Sequence, residues 1–291
     1  MPTRTGSFPI GFRRGWSSWQ RELSPLADWA KTNGFDGIDL GRLTAADAQT
    51  LSDKGLLLGT VDIDTSGLLD NDAIVRSEAV LRTISYVREA AALGAKNFFL
   101  VVMPGASLSR IDGYNRAVES YAPIVAVLAE LGASLAIEGW PGGSPYLPSL
   151  CCTPESCCRF ISDLGGKGVG LNYDPSHLIR MGIDHVRFLN EFLPHIRHVH
   201  GKDTEILSEA IYEYGLYQPS VFEKAHGFGE WAWRYTIPGQ GNARWSEIFK
   251  ILVDNQYTGM VSVELEDENF NGSEAGEQEG LLHSLHFLQG V

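Results

Sequence analysis

Eight short apolar runs recur along the 291-residue chain, and helical patterns separate them. They read "FPIGFR", "GIDLG", "LLLGTVDI", "NFFLVVM", "SLAIEG", "VGLNYD", "RHVHGKD" and "MVSVELE". Each has the length of a buried strand and is too short to cross a bilayer. Eight strands alternating with helices in a chain of this size predict an α/β fold, a closed parallel (β/α)8 barrel forming one domain over residues 1–291. An open doubly wound sheet is the alternative. It calls for a glycine-rich phosphate loop after the first strand, and "FRRGWSSW" is not one.

The helical patterns carry their own signals. In "AIVRSEAVLRTISYVREAAALGA", Val80, Ile84, Val87 and Ala91 share a face at helical spacing. "GYNRAVESYAPIVAVLAELGA" ends at Gly132, a C-terminal cap. Four cysteines cluster in "CCTPESCC" without the two-residue gap of paired zinc ligands. Thr153, Pro154 and Glu155 read as a cap and first turn there, so reduced, partly buried thiols are expected rather than a zinc site. Residues 206–244 break the rhythm: the segment is long, aromatic and follows strand seven. A surface excursion would explain it, but long loops after barrel strands usually cover the active site. An active-site loop bringing Trp231, Trp233 or Arg234 near the substrate is therefore expected.

The net charge of −13 argues against nucleic acid as a partner, because a negative field repels phosphate backbones. No apolar run near the start has the length of a signal peptide, and none elsewhere spans a membrane, so a cytoplasmic protein is expected.

In such a barrel the carboxyl ends of the strands share one face, where chemistry gathers. Glu138 closes "SLAIE", Asp174 closes "VGLNYD", His200 sits late in "RHVH" and Glu264 sits late in "MVSVE". Asp174, followed by Pro175, also reads as the N-cap of a helix. Each of the four alone suits a cap or a buried ion pair. Together, on strands five to eight, they converge on one rim. Three carboxylates and one imidazole suit a divalent ion, Mn²⁺ first, with Mg²⁺ or Co²⁺ as alternatives, and leave positions open for two adjacent sugar oxygens. Lys202 shares strand parity with His200 and points inward, or else pairs with Asp203 at the rim. His198 lies deeper and reads as a hydrogen-bonded core histidine. Trp140, Trp231 and Trp233 offer apolar platforms for a sugar face. Asp267 and Glu268 read as solvated loop charges, and Glu266 stays undecided.

The ordered set "AIEGW", "GLNYDPSHL", "HVHGKD", "PGQGNARWSEIFKIL" and "GMVSVELE" resembles the sugar phosphate isomerase/epimerase family of xylose isomerase-like TIM barrels, over nearly the whole chain. The resemblance implies that Glu138, Asp174, His200 and Glu264 are metal ligands and that Glu138 and Glu264 shuttle protons. It also implies that His177 contacts a substrate oxygen. Two positions depart from the ketose epimerases of the family. Ser144 stands where they carry a further glutamate, and Ile206 where they carry an arginine. "KDTEI" and the aromatic loop look more like members acting on oxidised sugars or glycosides, including inosose dehydratases and C-glycoside-cleaving subunits.

The chemistry implied is removal of a proton beside a carbonyl, giving an enediolate stabilised by the ion. Return of the proton isomerises or epimerises; loss of a β-substituent eliminates. His177, Lys202, Trp140 and Arg234 are the candidate substrate-binding residues for a small sugar or keto-sugar. A homo-oligomer, or a hetero-oligomer with a second subunit, is expected. An AP endonuclease and a non-catalytic subunit are the rivals; the charge opposes the first and the four-residue ligand set the second.

Overall fold

Eight strands, hydrogen-bonded in parallel register, close into a ring. The structure, a computed structural model, describes residues 8–104, 108–143 and 148–291; Ser144 lies outside them. The ring runs β1 (Ile10–Arg13), β2 (Gly37–Leu40), β3 (Leu57–Asp62), β4 (Asn97–Leu100), β5 (Ser134–Glu138), β6 (Val169–Tyr173), β7 (Ile196–Gly201) and β10 (Val261–Val263), and β10 pairs back onto β1. These are the eight runs expected from the sequence. The open-sheet alternative fails because no edge remains between β1 and β10.

Helices wrap the ring because each buries one apolar stripe against it. They include α1 (Leu23–Thr32), α2 (Ala45–Lys54), α3 (Ala73–Ala92), α4 (Arg110–Glu130) and α5 (Pro154–Asp163). Local chemistry sets their ends. Thr44 and Thr153 form capping boxes, and Pro154 opens α5. Gly132 takes the left-handed conformation just past α4, as the sequence suggested. On α3 the buried stripe is Ala79, Thr83, Tyr86, Val87 and Ala90. Of the expected stripe only Val87 is fully buried; Val80, Ile84 and Ala91 flank it, half-buried. The smaller Ala79, Thr83 and Ala90 let the helix settle closer to the barrel, turned by about one position.

The four cysteines do not form a metal cluster among the described residues. Cys151, Cys152 and Cys157 are buried, Cys158 is exposed, and the Cys151 and Cys157 sulfurs lie 3.5 Å apart.

The segment after β7 is more ordered than a loop. β8 (Asp203–Ile206) pairs antiparallel with β9 (Trp233–Thr236), with α8 (Ser208–Tyr214) between them. Buried Asp203 ties this hairpin down. Its carboxylate accepts from the backbone N–H groups of Thr204 (2.8 Å), Gly239 (3.1 Å) and Ala243 (2.8 Å) and from Trp245 Nε1 (3.1 Å). The "PGQG" turn thus wraps a carboxylate of the chain itself, and a side chain at Gly241 would collide with it. Asp267, read from sequence as solvated, is buried as well. It accepts from Ile237 N and from the Asn269 backbone and side chain, fixing the end of β9 to the turn after β10. Glu268 is exposed, as the sequence suggested, and also holds the excursion through His226, Gly227 N and Arg234.

In an Asp203→Asn variant, an amide NH₂ would face two N–H donors. Removing acceptors from a buried network costs roughly 1–3 kcal/mol, so the urea unfolding midpoint should fall accordingly. An unchanged midpoint would show that the hairpin is anchored elsewhere.

Candidate metal centre at the barrel mouth

The carboxyl ends of β5, β6, β7 and β10 deliver Glu138, Asp174, His200 and Glu264 to one place. Each offers a ligand atom, and these atoms lie within 4.8 Å of one another. His200 Nδ1 is 2.8 Å from Glu138 Oε1 and 3.5 Å from Glu264 Oε2. Glu138 Oε1 also accepts from Asn172 Nδ2 at 2.8 Å. Asp174 serves both of its sequence readings in part. One oxygen caps α6 (Pro175–Arg180) by accepting from Ser176 N at 2.8 Å, and the other turns into the cluster.

Two atoms of the set are left as a divalent cation would need them. His200 Nδ1 and Asp174 Oδ2 are buried, yet neither has a hydrogen bond of acceptable geometry. Their neighbours are charged but not aligned as donor and acceptor, as expected of atoms aimed at a shared centre. A second group, Asp39, His198 and His200, is equally tight. Its oxygens are already committed: Asp39 accepts from Thr60 N at 2.9 Å, and His198 Nε2 lies 2.9 Å away. His198 also reaches Ser262 Oγ at 3.1 Å and is the hydrogen-bonded core histidine expected. Gly59 on β3 makes room for Asp39, because a Cβ there would strike the carboxylate.

Charge is the organising quantity. Burial alone would raise the Asp39 pKa, but His198 and His200 hold it well below the usual carboxylate range. For Glu264, Lys202 and His200 overcome burial in the same way. Glu138 is pushed up by burial and by Glu264, yet His200 and His177 keep it low. Burial would lower the His200 pKa, and Glu264 and Glu138 raise it well above the usual imidazole value.

Lys202 points inward. Its buried ammonium contacts Glu264 and lies 3.0 Å from Glu266 and 3.3 Å from Asp174; Asp203, the other partner considered, is occupied by the hairpin. Burial opposes its charge, but Asp174, Glu264 and Glu266 hold its pKa well above that of a free lysine. Glu266 thereby joins the site.

His177 Nε2 sits 3.4 Å from both Glu138 and Asp174. Its Nδ1 is 2.7 Å from the Tyr235 hydroxyl, which also accepts from Arg180 Nη1 at 2.6 Å. With Arg180 donating, a Tyr235 hydroxyl that donates to Nδ1 would place the His177 proton on Nε2. Tyr235 comes from β9, so the excursion does reach this cluster. Trp233, on the same face of β9, lies against Tyr235 and stacks on Arg180, 4.3 Å from the guanidinium carbon.

The other expected residues lie further out. Arg234 is on the opposite face of β9, paired with Glu205 at 2.8 Å and Glu268 at 3.1 Å. Trp231 donates to Glu223 O within the excursion. Trp140 is half-buried, two residues beyond Glu138.

Sequence reasoning missed Arg13, Asp39, Asp62 and Tyr235. Arg13 binds Asp62 through two nitrogens, at 2.9 and 3.0 Å, and reaches Glu264 at 3.4 Å. The available signals were charged residues ending β1 and β3, an acid inside β2, and the alternation of "WRY".

Residues 27–290 match the family described as xylose isomerase-like TIM barrel. The chain belongs to that family. Among solved structures, D-psicose 3-epimerase with D-fructose superposes with a TM-score of 0.71 at 19% identity, covering 97% of this chain and 100% of that one. For 3-keto-D-glucoside 4-epimerase from E. coli the TM-score is 0.70 at 17% identity, covering 97% and 99%. At such identities the family likeness is one of fold. Curated relatives match over shorter stretches. An inosose dehydratase of Clostridium botulinum (strain Eklund 17B / Type B) is 31% identical over 40% of this chain and 37% of its own length. The protein YfiH of Bacillus subtilis (strain 168), described as uncharacterized, is 37% identical over 42% and 38%. The match thus spans under two fifths of these relatives' length.

A Tyr235→Phe variant should release the His177 proton from its single site. Long-range ¹H–¹⁵N spectra are expected to show the Nε2–H tautomer in the wild type and a mixture in the variant. An Nδ1–H tautomer in the wild type would contradict the donor order running from Arg180 through Tyr235 to His177.

Proposed function

We propose that the protein is a divalent-metal-dependent enzyme that isomerises or epimerises a small sugar or keto-sugar by removing a proton beside a carbonyl. The observation carrying this reading is the convergence of Glu138, Asp174, His200 and Glu264, with buried ligand atoms that lack hydrogen bonds. A divalent ion held by these four residues, Mn²⁺ first among candidates, would polarise a carbonyl and its neighbouring hydroxyl and so acidify the hydrogen between them. Glu264 or Glu138 takes that proton. Lys202 and His200 keep Glu264 in the ionised form that can take up a proton, while weakening its affinity for one. His177, its proton directed toward Glu138 and Asp174, orients a substrate oxygen, and Lys202 balances negative charge that develops there. The β8–β9 hairpin closes over this mouth through Tyr235 and limits access of water. Trp140 offers an apolar platform beside Glu138. Arg234 bears on the substrate only indirectly, by holding the hairpin through Glu205 and Glu268.

Elimination is the second reading, with a specific observation behind it. A departing hydroxyl needs a proton donor, and the His177–Tyr235–Lys202 group stands next to the proton-accepting carboxylates. The similarity to inosose dehydratases points the same way.

Elemental analysis of the purified protein should find about one divalent ion per chain, and an Asp174→Ala, His200→Ala double variant should retain only traces. Full occupancy in that variant would put the ion elsewhere. Glu264→Gln should lower turnover of an accepted keto-sugar by roughly 10²–10⁴-fold, the usual worth of a positioned base. Metal content must be measured in the same sample. Turnover in deuterated water then sorts the outcomes. Deuterium in an otherwise unchanged skeleton supports isomerisation or epimerisation, and an unsaturated product supports elimination. Complete retention of a substrate deuterium label, with no isotope effect, would sink the mechanism.

A further inference from the structure

The loop after β1, "RRGWSSWQR", separates two cavities. The first, about 380 Å³, opens on the proposed reaction centre and includes Glu264 and Glu266 in its wall. The second, about 310 Å³, lies on the β2 side of the same loop. Arg13, Arg14 and Trp16 line both, so the two cavities share a wall. The composition of the second cavity is unusual for a chain of net charge −13. Its charged lining residues are Arg13, Arg14, Arg21, Arg42 and a single carboxylate, Asp62.

Asp62 is already used. It holds Arg13 through two hydrogen bonds, and Arg13 is further balanced by Glu264. The other three guanidinium groups have no carboxylate within ion-pair distance among the described residues. Arg14 donates to the backbone carbonyls of Gln20 and Arg21, which fix the side chain without cancelling its charge. Arg42 lies over the Tyr86 ring, 4.4 Å from its centroid, which holds the guanidinium beside the cavity without neutralising it. Arg21 is exposed, and its guanidinium has no hydrogen-bond acceptor among the described residues. Three like charges lining one concavity repel each other, and Asp64, on the far side of Arg42 and outside the lining of this cavity, offsets that repulsion only at Arg42. Guanidinium forks match carboxylate and phosphate oxygens in shape as well as charge.

We infer that this cavity is an anion subsite and that the substrate is an anionic keto-sugar whose carboxylate or phosphate is held by Arg14, Arg21 and Arg42 while its carbonyl end reaches the proposed metal centre. Exposed Trp16, lining both cavities, covers the stretch of substrate between the two ends. The inference rests on the proposed function for the position of the reacting end, but the arginine subsite stands on its own geometry.

The test compares three ligands sharing a ketose skeleton: D-fructose, D-fructuronate and D-fructose 6-phosphate, with inorganic phosphate as a skeleton-free probe. Affinities of the metal-loaded full chain are measured calorimetrically for the wild type and an Arg21→Gln, Arg42→Gln variant. Both positions are exposed at the cavity edge, and circular dichroism would confirm the variant's fold. At least one charged sugar should bind about tenfold or more tighter than D-fructose, and the double variant should lose that advantage, as expected when charge-assisted hydrogen bonds are removed. A preference for the uronate assigns a carboxylate; a preference for the sugar phosphate, matched by arginine-dependent binding of inorganic phosphate, assigns a phosphate. Equal binding of neutral and charged sugars, an advantage that survives in the variant, or no saturable binding of any anion would overturn the subsite. Metal content is read separately. Arginine-dependent anion binding by a protein that takes up no divalent ion would sink the proposed function and leave the subsite standing. Metal uptake without anion preference would do the reverse.

Discussion

Too many carboxylates share too little space at the mouth of this barrel, and much of the architecture there responds to that. Asp39, Asp62, Glu138, Asp174, Glu264 and Glu266 face two permanent cations, Arg13 and Lys202, with His177, His198 and His200 among them. Two like charges about 4 Å apart repel by roughly 4 kcal/mol at an effective dielectric of 20. An ensemble of this kind persists only if the fold imposes it and counter-charge is supplied. The closed ring of strands imposes it, because each strand's carboxyl end has one fixed position relative to its neighbours. Lys202 and Arg13 supply part of the charge, and the proposed divalent ion would supply two positive charges more.

The second rank of residues follows from the same constraint. Asp39 stands behind His200, 3.5 Å from its Nε2, and is itself held by Thr60 N and His198. Arg180 and Tyr235 hold the Nδ1 side of His177. Asp203 and Asp267 look like further acids of the site, but their oxygens are used in pinning the β8–β9 hairpin. That hairpin delivers Tyr235. Similar carboxylates thus have separate duties, and the difference lies in whether their acceptor positions are filled by backbone N–H groups.

The ring of strands was legible in the sequence because its apolar runs are short, evenly spaced and bounded by turn residues. The acids ending strands five to eight were legible for a related reason: a carboxylate closing an apolar strand stands out. Arg13, Asp39 and Asp62 belong to the first three strands, where polar residues also suit pairing within the barrel, and no local pattern separates those roles. The burial of Asp267 was hidden because "EDE" looks like any solvated acidic turn until Ile237 N is seen to approach it. Tyr235 was hidden because its partners lie 55 and 58 residues away in sequence. The α3 face read from the sequence does pack on the core, but its most buried line runs through Ala79 and Ala90, because apolar character alone does not weigh the close approach those alanines allow.

The central claim is that the cluster of Glu138, Asp174, His200 and Glu264 exists to hold a divalent cation. Anomalous scattering from crystals grown with Mn²⁺ tests it most directly, since His200 belongs to both tight groups and a peak must choose between them. The account predicts one anomalous peak bounded by Glu138, Asp174, His200 Nδ1 and Glu264, with Asp39 still hydrogen-bonded to Thr60 and His198 behind it. A peak on the other side of the imidazole, between Asp39 and His198, or no peak at saturating Mn²⁺, would contradict it.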